Sequence, residues 1–171
     1  MRSNRFFLIY LCIVALQILI CNYLNLSYYL TLSLLPVIVI MIPVRYSTMA
    51  AMLIAAASGF VVDILGDGVL GLNMLAITPV ALARKGLLSI VFGQEVFAQN
   101  EDVTIKKYGI IKFISFIAIA QALFLLIYIL ADGAGTRPFW FNALRFGISL
   151  VTGILVSLFI ADTLTKDYRE R

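Results

Sequence analysis

The chain has 171 residues, 63% of them hydrophobic and 13% charged, with 13 Lys and Arg against 9 Asp and Glu for a net charge of +4. Soluble domains are about half apolar, so this composition excludes an ordinary soluble domain and makes the bilayer the solvent. With no histidine anywhere, a metal centre has no imidazole to draw on, and the basic residues flank apolar runs rather than line one solvated face, which argues against nucleic acid as a partner.

A helix crosses about 30 Å of hydrocarbon with roughly 20 apolar residues. Six runs answer to that description, over 6–24, 26–44, 47–65, 69–83, 108–131 and 141–164, the fourth being short and able to run on toward Ile90. The expected fold is all-α, a six-helix bundle forming one transmembrane domain over 1–171. The first run is too long for the core of a signal peptide and lacks a small-residue cleavage site after it, so it reads as a retained span. It carries Gln17 between two cysteines, Cys12 and Cys21, which fall on opposite helix faces and cannot pair with each other. Pro36 interrupts the second run and Pro79 the fourth, each removing a backbone hydrogen bond and bending its helix.

The third run has Ala51, Ala55 and Gly59 at four-residue spacing, and the last has Ser149, Gly153, Ser157 and Ala161 likewise. Small residues let backbones approach where lipid tails supply no hydrophobic drive between helices. Packing of both stripes inside the fold is the commoner use of such spacing; the alternative has one internal and the other receiving a partner helix, the last span being the candidate. Between the fourth and fifth runs, 84–107 is expected to be a cytoplasmic loop whose middle, 87–97, is either a tether or an amphipathic helix on the inner leaflet.

With the amino end in the cytoplasm, Arg2, Arg5, Arg45, Arg84, Lys85, Lys106, Lys107, Lys166, Arg169 and Arg171 fall inside, against Arg137 and Arg145 outside. That asymmetry follows the positive-inside rule and places both termini in the cytoplasm. Tyr23, Tyr28, Tyr29 and Trp140 then lie at the outer interface, where amphipathic rings prefer to sit.

Residues 59–76, GFVVDILGDGVLGLNMLA, put an acid inside an apolar run. Asp63 would sit at the carboxyl end of the third span, where the helix dipole disfavours negative charge. Gly66, Asp67 and Gly68 suit a tight turn, Asp67 is expected to cap the fourth span, and the first N–H groups of that span form an anion site. Asp63 is expected to turn back onto the Gly66–Gly68 turn or onto those N–H groups, stapling the hairpin, with asparagine able to keep much of its role. The rival reading makes it a ligand for a cationic substrate or a partner arginine, because acids inside membranes are functional suspects.

Gly59, Asp63 and the Leu70-Gly71 pair, together with Pro43-Val-Arg45 at the preceding inner turn, resemble the signature hairpin of the MreD family, rod-shape-determining inner-membrane proteins of bacteria. The resemblance implies a non-enzymatic subunit of the cell-elongation machinery. It also implies MreC as partner and, through it, the RodA glycosyltransferase, the elongation penicillin-binding protein and actin-like MreB. The family fold is similar to that of the S components of energy-coupling-factor transporters.

That likeness supplies the second functional reading, an S component capturing a small vitamin-like ligand. Gln17, Asp63 and Asn73 in the outer half and Gln121 near the middle would be its pocket; the alternative is that each bonds a neighbouring helix. Catalysis is the weakest reading, since no span pairs two carboxylates and no serine has a base visible beside it. No metal or other cofactor is expected.

Overall fold

A computed structural model describes residues 2–23, 30–44, 46–93, 108–133 and 137–166; within these, the side chains of residues 2–7, 9, 67 and 161–166 lie outside the description. The described residues are helical and contain no strand: α1 (Arg2–Tyr23), α2 (Leu35–Met41), α3 (Thr48–Val62), α4 (Leu72–Phe92), α5 (Ile110–Gly133) and α6 (Phe139–Lys166). Four helical stretches, Thr48–Gly66, Leu72–Phe92, Ile110–Gly133 and Phe139–Ile160, are long and apolar enough to cross a membrane.

The second apolar run is not one helix. Residues 30–34 are non-helical, and α2 begins only at Leu35 with Pro36 in its first turn. Proline lacks an N–H and is tolerated there, where that donor has no partner inside the helix. Pro36 therefore starts a short helix instead of bending a long one. Pro79, by contrast, lies inside α4 as expected of the fourth run.

Every residue of α2 from Leu35 to Ile40 is buried. It touches α1, α3, α4 and α5 and forms the centre around which they pack. A helix apolar on every side belongs in such a position. Helix α1 packs on α3 and on the turn that follows it, and the other contacts run in chain order, α3 on α4, α4 on α5 and α5 on α6, so that α6 is a flank resting chiefly on α5. Its outer face, Leu144, Ile148, Val151, Leu155 and Phe159, points away from the protein.

The fourth span extends further than the charges suggest. Helix α4 runs unbroken through Arg84 and Lys85 to Phe92, in line with a fourth run that continues toward Ile90, so 87–92 belongs to α4 and is not a separate helix; residues 94–107 lie outside the described residues. Arg84 is 2% exposed and its guanidinium donates to the carbonyl of Ile42 just past α2. This arginine holds the end of the broken segment.

Candidate functional site

The α3–α4 hairpin is built around Asp63. Ser47 caps α3, its Oγ accepting from Ala50 N–H at 3.2 Å. At the far end the helix widens into a π turn over Asp63–Asp67, where Gly68 N–H reaches back five residues to the Asp63 carbonyl at 3.0 Å. Gly68, at φ +70°, and Gly71, at φ +90°, then turn the chain through the left-handed region that glycine enters without steric cost. Gly71 occupies the cap position of α4 and has no side chain to accept from the helix start.

The carboxylate of Asp63 supplies what Gly71 lacks. It is fully buried, with Oδ2 accepting from Gly71 N–H at 3.0 Å and Met74 N–H at 3.2 Å. Oδ1 accepts from Asn73 N–H at 2.9 Å and from Asn73 Nδ2 at 3.0 Å. Four donors converge on a group that only accepts, at the positive end of a helix dipole. The cap expected of Asp67 is therefore provided by Asp63, because α4 starts at Leu72, five residues beyond Asp67. Gly59 makes the approach possible: a Cβ there would lie 2.7 Å from Met74 Cα and 2.9 Å from the Asn73 carbonyl carbon. Leu70 contributes no packing of this kind and is 70% exposed.

Helix α1 braces the turn from the other side. A Cβ on Gly66 would be 2.9 Å from Cys21 Cβ, and Asn22 Nδ2 donates to the Leu65 carbonyl at 2.8 Å. Asn22 was not anticipated; its signal is an amide at the end of the first span opposite carbonyls that a π turn leaves exposed.

A second polar constellation holds the unwound segment. Gln17 accepts from Leu34 N–H at 2.6 Å through Oε1 and donates through Nε2 to the Leu32 carbonyl at 3.3 Å. Gln121 Nε2 donates to the Ser33 carbonyl at 3.2 Å. Ser149 Oγ accepts from Thr31 N–H at 2.8 Å, and Arg145 Nε donates to Thr31 Oγ1 at 2.8 Å. Side chains from α1, α5 and α6 thus replace the ladder that a continuous helix would have supplied. Irregular backbone at membrane depth persists only where protein satisfies it in this way.

The residues proposed for one pocket fall into two separate groups. Asn73 belongs to the Asp63 cap, while Gln17 and Gln121 attach to the chain at Leu32–Leu34. Both small-residue stripes face inward. Ala51 and Ala55 are buried in α3. Ser149 and Ser157 are fully buried on α6, and a Cβ at Gly153 would lie 2.9 Å from Gln121 Cδ. The last stripe seats α6 on α5 and is not open to a partner. The Pro43 carbonyl accepts from Tyr46 N–H at 3.2 Å, closing the turn before α3, whereas Arg45 and the side chains of Asp67 and Ala161 lie outside the described residues.

Compared with family models, curated proteins and solved structures, the chain matches none.

Among the described residues no three His, Cys, Asp or Glu side chains gather as a metal site. The remaining charged group is at the α5–α6 end, where Arg145 pairs with Asp132, and Arg137 approaches the same carboxylate oxygen at 3.2 Å. The chemistry on display is hydrogen bonding that fixes backbone.

Proposed function

We propose that the chain is a non-enzymatic, multi-pass subunit of the bacterial inner membrane that serves the cell-elongation machinery as an MreD-like scaffold. The observation that carries this reading is the use made of Gly59, Asp63 and Gly71. The residues that resemble the family signature build one closed hairpin lock, with Asp63 spent on four N–H donors. A lock of this kind gives a partner a rigid surface and offers a substrate nothing to bind.

The same consideration weighs against an S component, because the amides of Gln17 and Gln121 are engaged with the chain at Leu32–Leu34. In this reading there are six crossings, with both termini in the cytoplasm. The second crossing is the broken segment that contains the short helix α2. The resulting bundle is similar in layout to S components. MreC is the direct partner, linking the chain to RodA, the elongation penicillin-binding protein and MreB.

The test is complementation. Expressed in a rod-shaped bacterium depleted of its own MreD, the chain should restore rods, and Asp63→Ala should fail to do so. Spherical cells despite normal membrane levels of the wild-type chain would reject the reading.

A further inference from the structure

Arg137 and Arg145 are the two arginines that the proposed orientation places outside, against the positive-inside rule, and the structure brings them together. Both guanidiniums meet Asp132 through the same oxygen, Oδ2. Arg145 is largely buried, with Nε on Thr31 Oγ1 and its guanidinium carbon 5.9 Å from the centre of the Tyr128 ring. Arg137 is further out: its side chain is 34% exposed and its guanidinium carbon lies 5.5 Å from the centre of the Phe141 ring. Two fixed positive charges thus share one carboxylate, leaving a unit of positive charge at a place with limited hydration, where an unbalanced ion is costly.

Two features indicate what balances it. Arg137 stands directly before α6, whose dipole presents its positive end at the same place, so the local field favours an anion. Phe139 and Trp140 are 80% and 78% exposed beside it, which suits rings lying at headgroup depth. The other acid-bearing turn, Asp63–Asp67, packs on α1, α3 and α4, and Asp63 is committed to the start of α4. A guanidinium has five N–H donors in a planar fork that matches phosphate oxygens.

We infer that Arg137, backed by Arg145 and the start of α6, binds a phosphate group at the membrane–water boundary, with the phosphate of an anionic lipid headgroup or free phosphate as its source. Asp132 is then a built-in competitor for the two arginines, which Thr31, Tyr128 and Phe141 also hold in place. The site is independent of the scaffold reading and stands or falls by itself.

The test uses the full chain in two arms. In native mass spectrometry from mixed micelles of phosphatidylglycerol and phosphatidylcholine, the wild type should retain phosphatidylglycerol preferentially. Arg137→Gln should lower that retention at least threefold, and Asp132→Asn, which removes the competing carboxylate, should raise it above wild type. In the second arm, inorganic phosphate replaces chloride at constant ionic strength. A phosphate-dependent rise in Tm of the wild type that is absent from Arg137→Gln identifies free phosphate as a sufficient source. Retention equal in wild type and Arg137→Gln, with no phosphate-dependent shift, overturns the proposal, as does weaker retention by Asp132→Asn in a folded protein.

Discussion

Replacing Asp63 by alanine removes the acceptor for Gly71 N–H, Met74 N–H, Asn73 N–H and Asn73 Nδ2 in a site with no exposure. Each buried donor left without a partner costs about 1–3 kcal/mol. The four are not additive, since the Asn73 side chain can turn and the first turn of α4 can fray. With such relaxation the loss amounts to one or two donors left unpaired, so the expected cost of Asp63→Ala is about 3 kcal/mol.

Asparagine is a sharper probe. One amide oxygen can serve the Asn73 pair or the Gly71 and Met74 pair, and its NH₂ then faces two donors; the charge opposite the helix dipole is lost as well. The sequence alone suggests that asparagine keeps much of the role, because it does not reveal that both oxygens are doubly occupied. With that geometry, Asp63→Asn falls between wild type and alanine, about 2 kcal/mol down. The assay is thermal unfolding in mild detergent, with cell shape scored for the same three proteins. Stability unchanged in both variants while both lose function would refute the lock and make Asp63 a charge-dependent contact to something outside the chain.

Gly59→Ala should destabilise by about 1–3 kcal/mol, because its Cβ meets the backbone of Met74 and Asn73, which yields only if α3 and α4 separate; unfolding midpoints in detergent check this. Gln17→Met keeps the volume but strips Leu34 N–H and the Leu32 carbonyl of their partner, at an expected cost on the order of 2–4 kcal/mol with faster amide exchange at Leu34. Gly153→Leu is expected to loosen α6 from α5 and lower the unfolding midpoint, since the new side chain occupies the place of Gln121; a fully stable variant would return the stripe to the surface.

What the sequence reveals and what it conceals divide along physical lines. Apolar length marks α3, α5 and α6 because a span must be long and greasy whatever it packs against. The same criterion cannot tell a continuous helix from the broken segment 30–41, since buried extended backbone and buried helix demand the same apolar side chains. The signal lay elsewhere, in Gln17, Gln121 and Ser149, polar residues at membrane depth whose likeliest partners are backbone groups released by a break. Asp63 was legible as an acid that turns back onto the first N–H groups of the fourth span, and it does so; what spacing did not reveal is that Gly71, and not Asp67, stands at the helix start. The burial of Arg84 was not legible, because its partner, the Ile42 carbonyl, is a backbone atom 42 residues away that no pattern encodes.

The most direct measurement of the scaffold account is to purify the chain from its native membrane in mild detergent, with no partner added, and identify by mass spectrometry what accompanies it. The account predicts MreC in stoichiometric amount, with RodA and the elongation penicillin-binding protein recovered through it, and an Asp63→Ala variant that brings down none of them. A stoichiometric small molecule in place of these proteins would contradict it and make the chain a binding component.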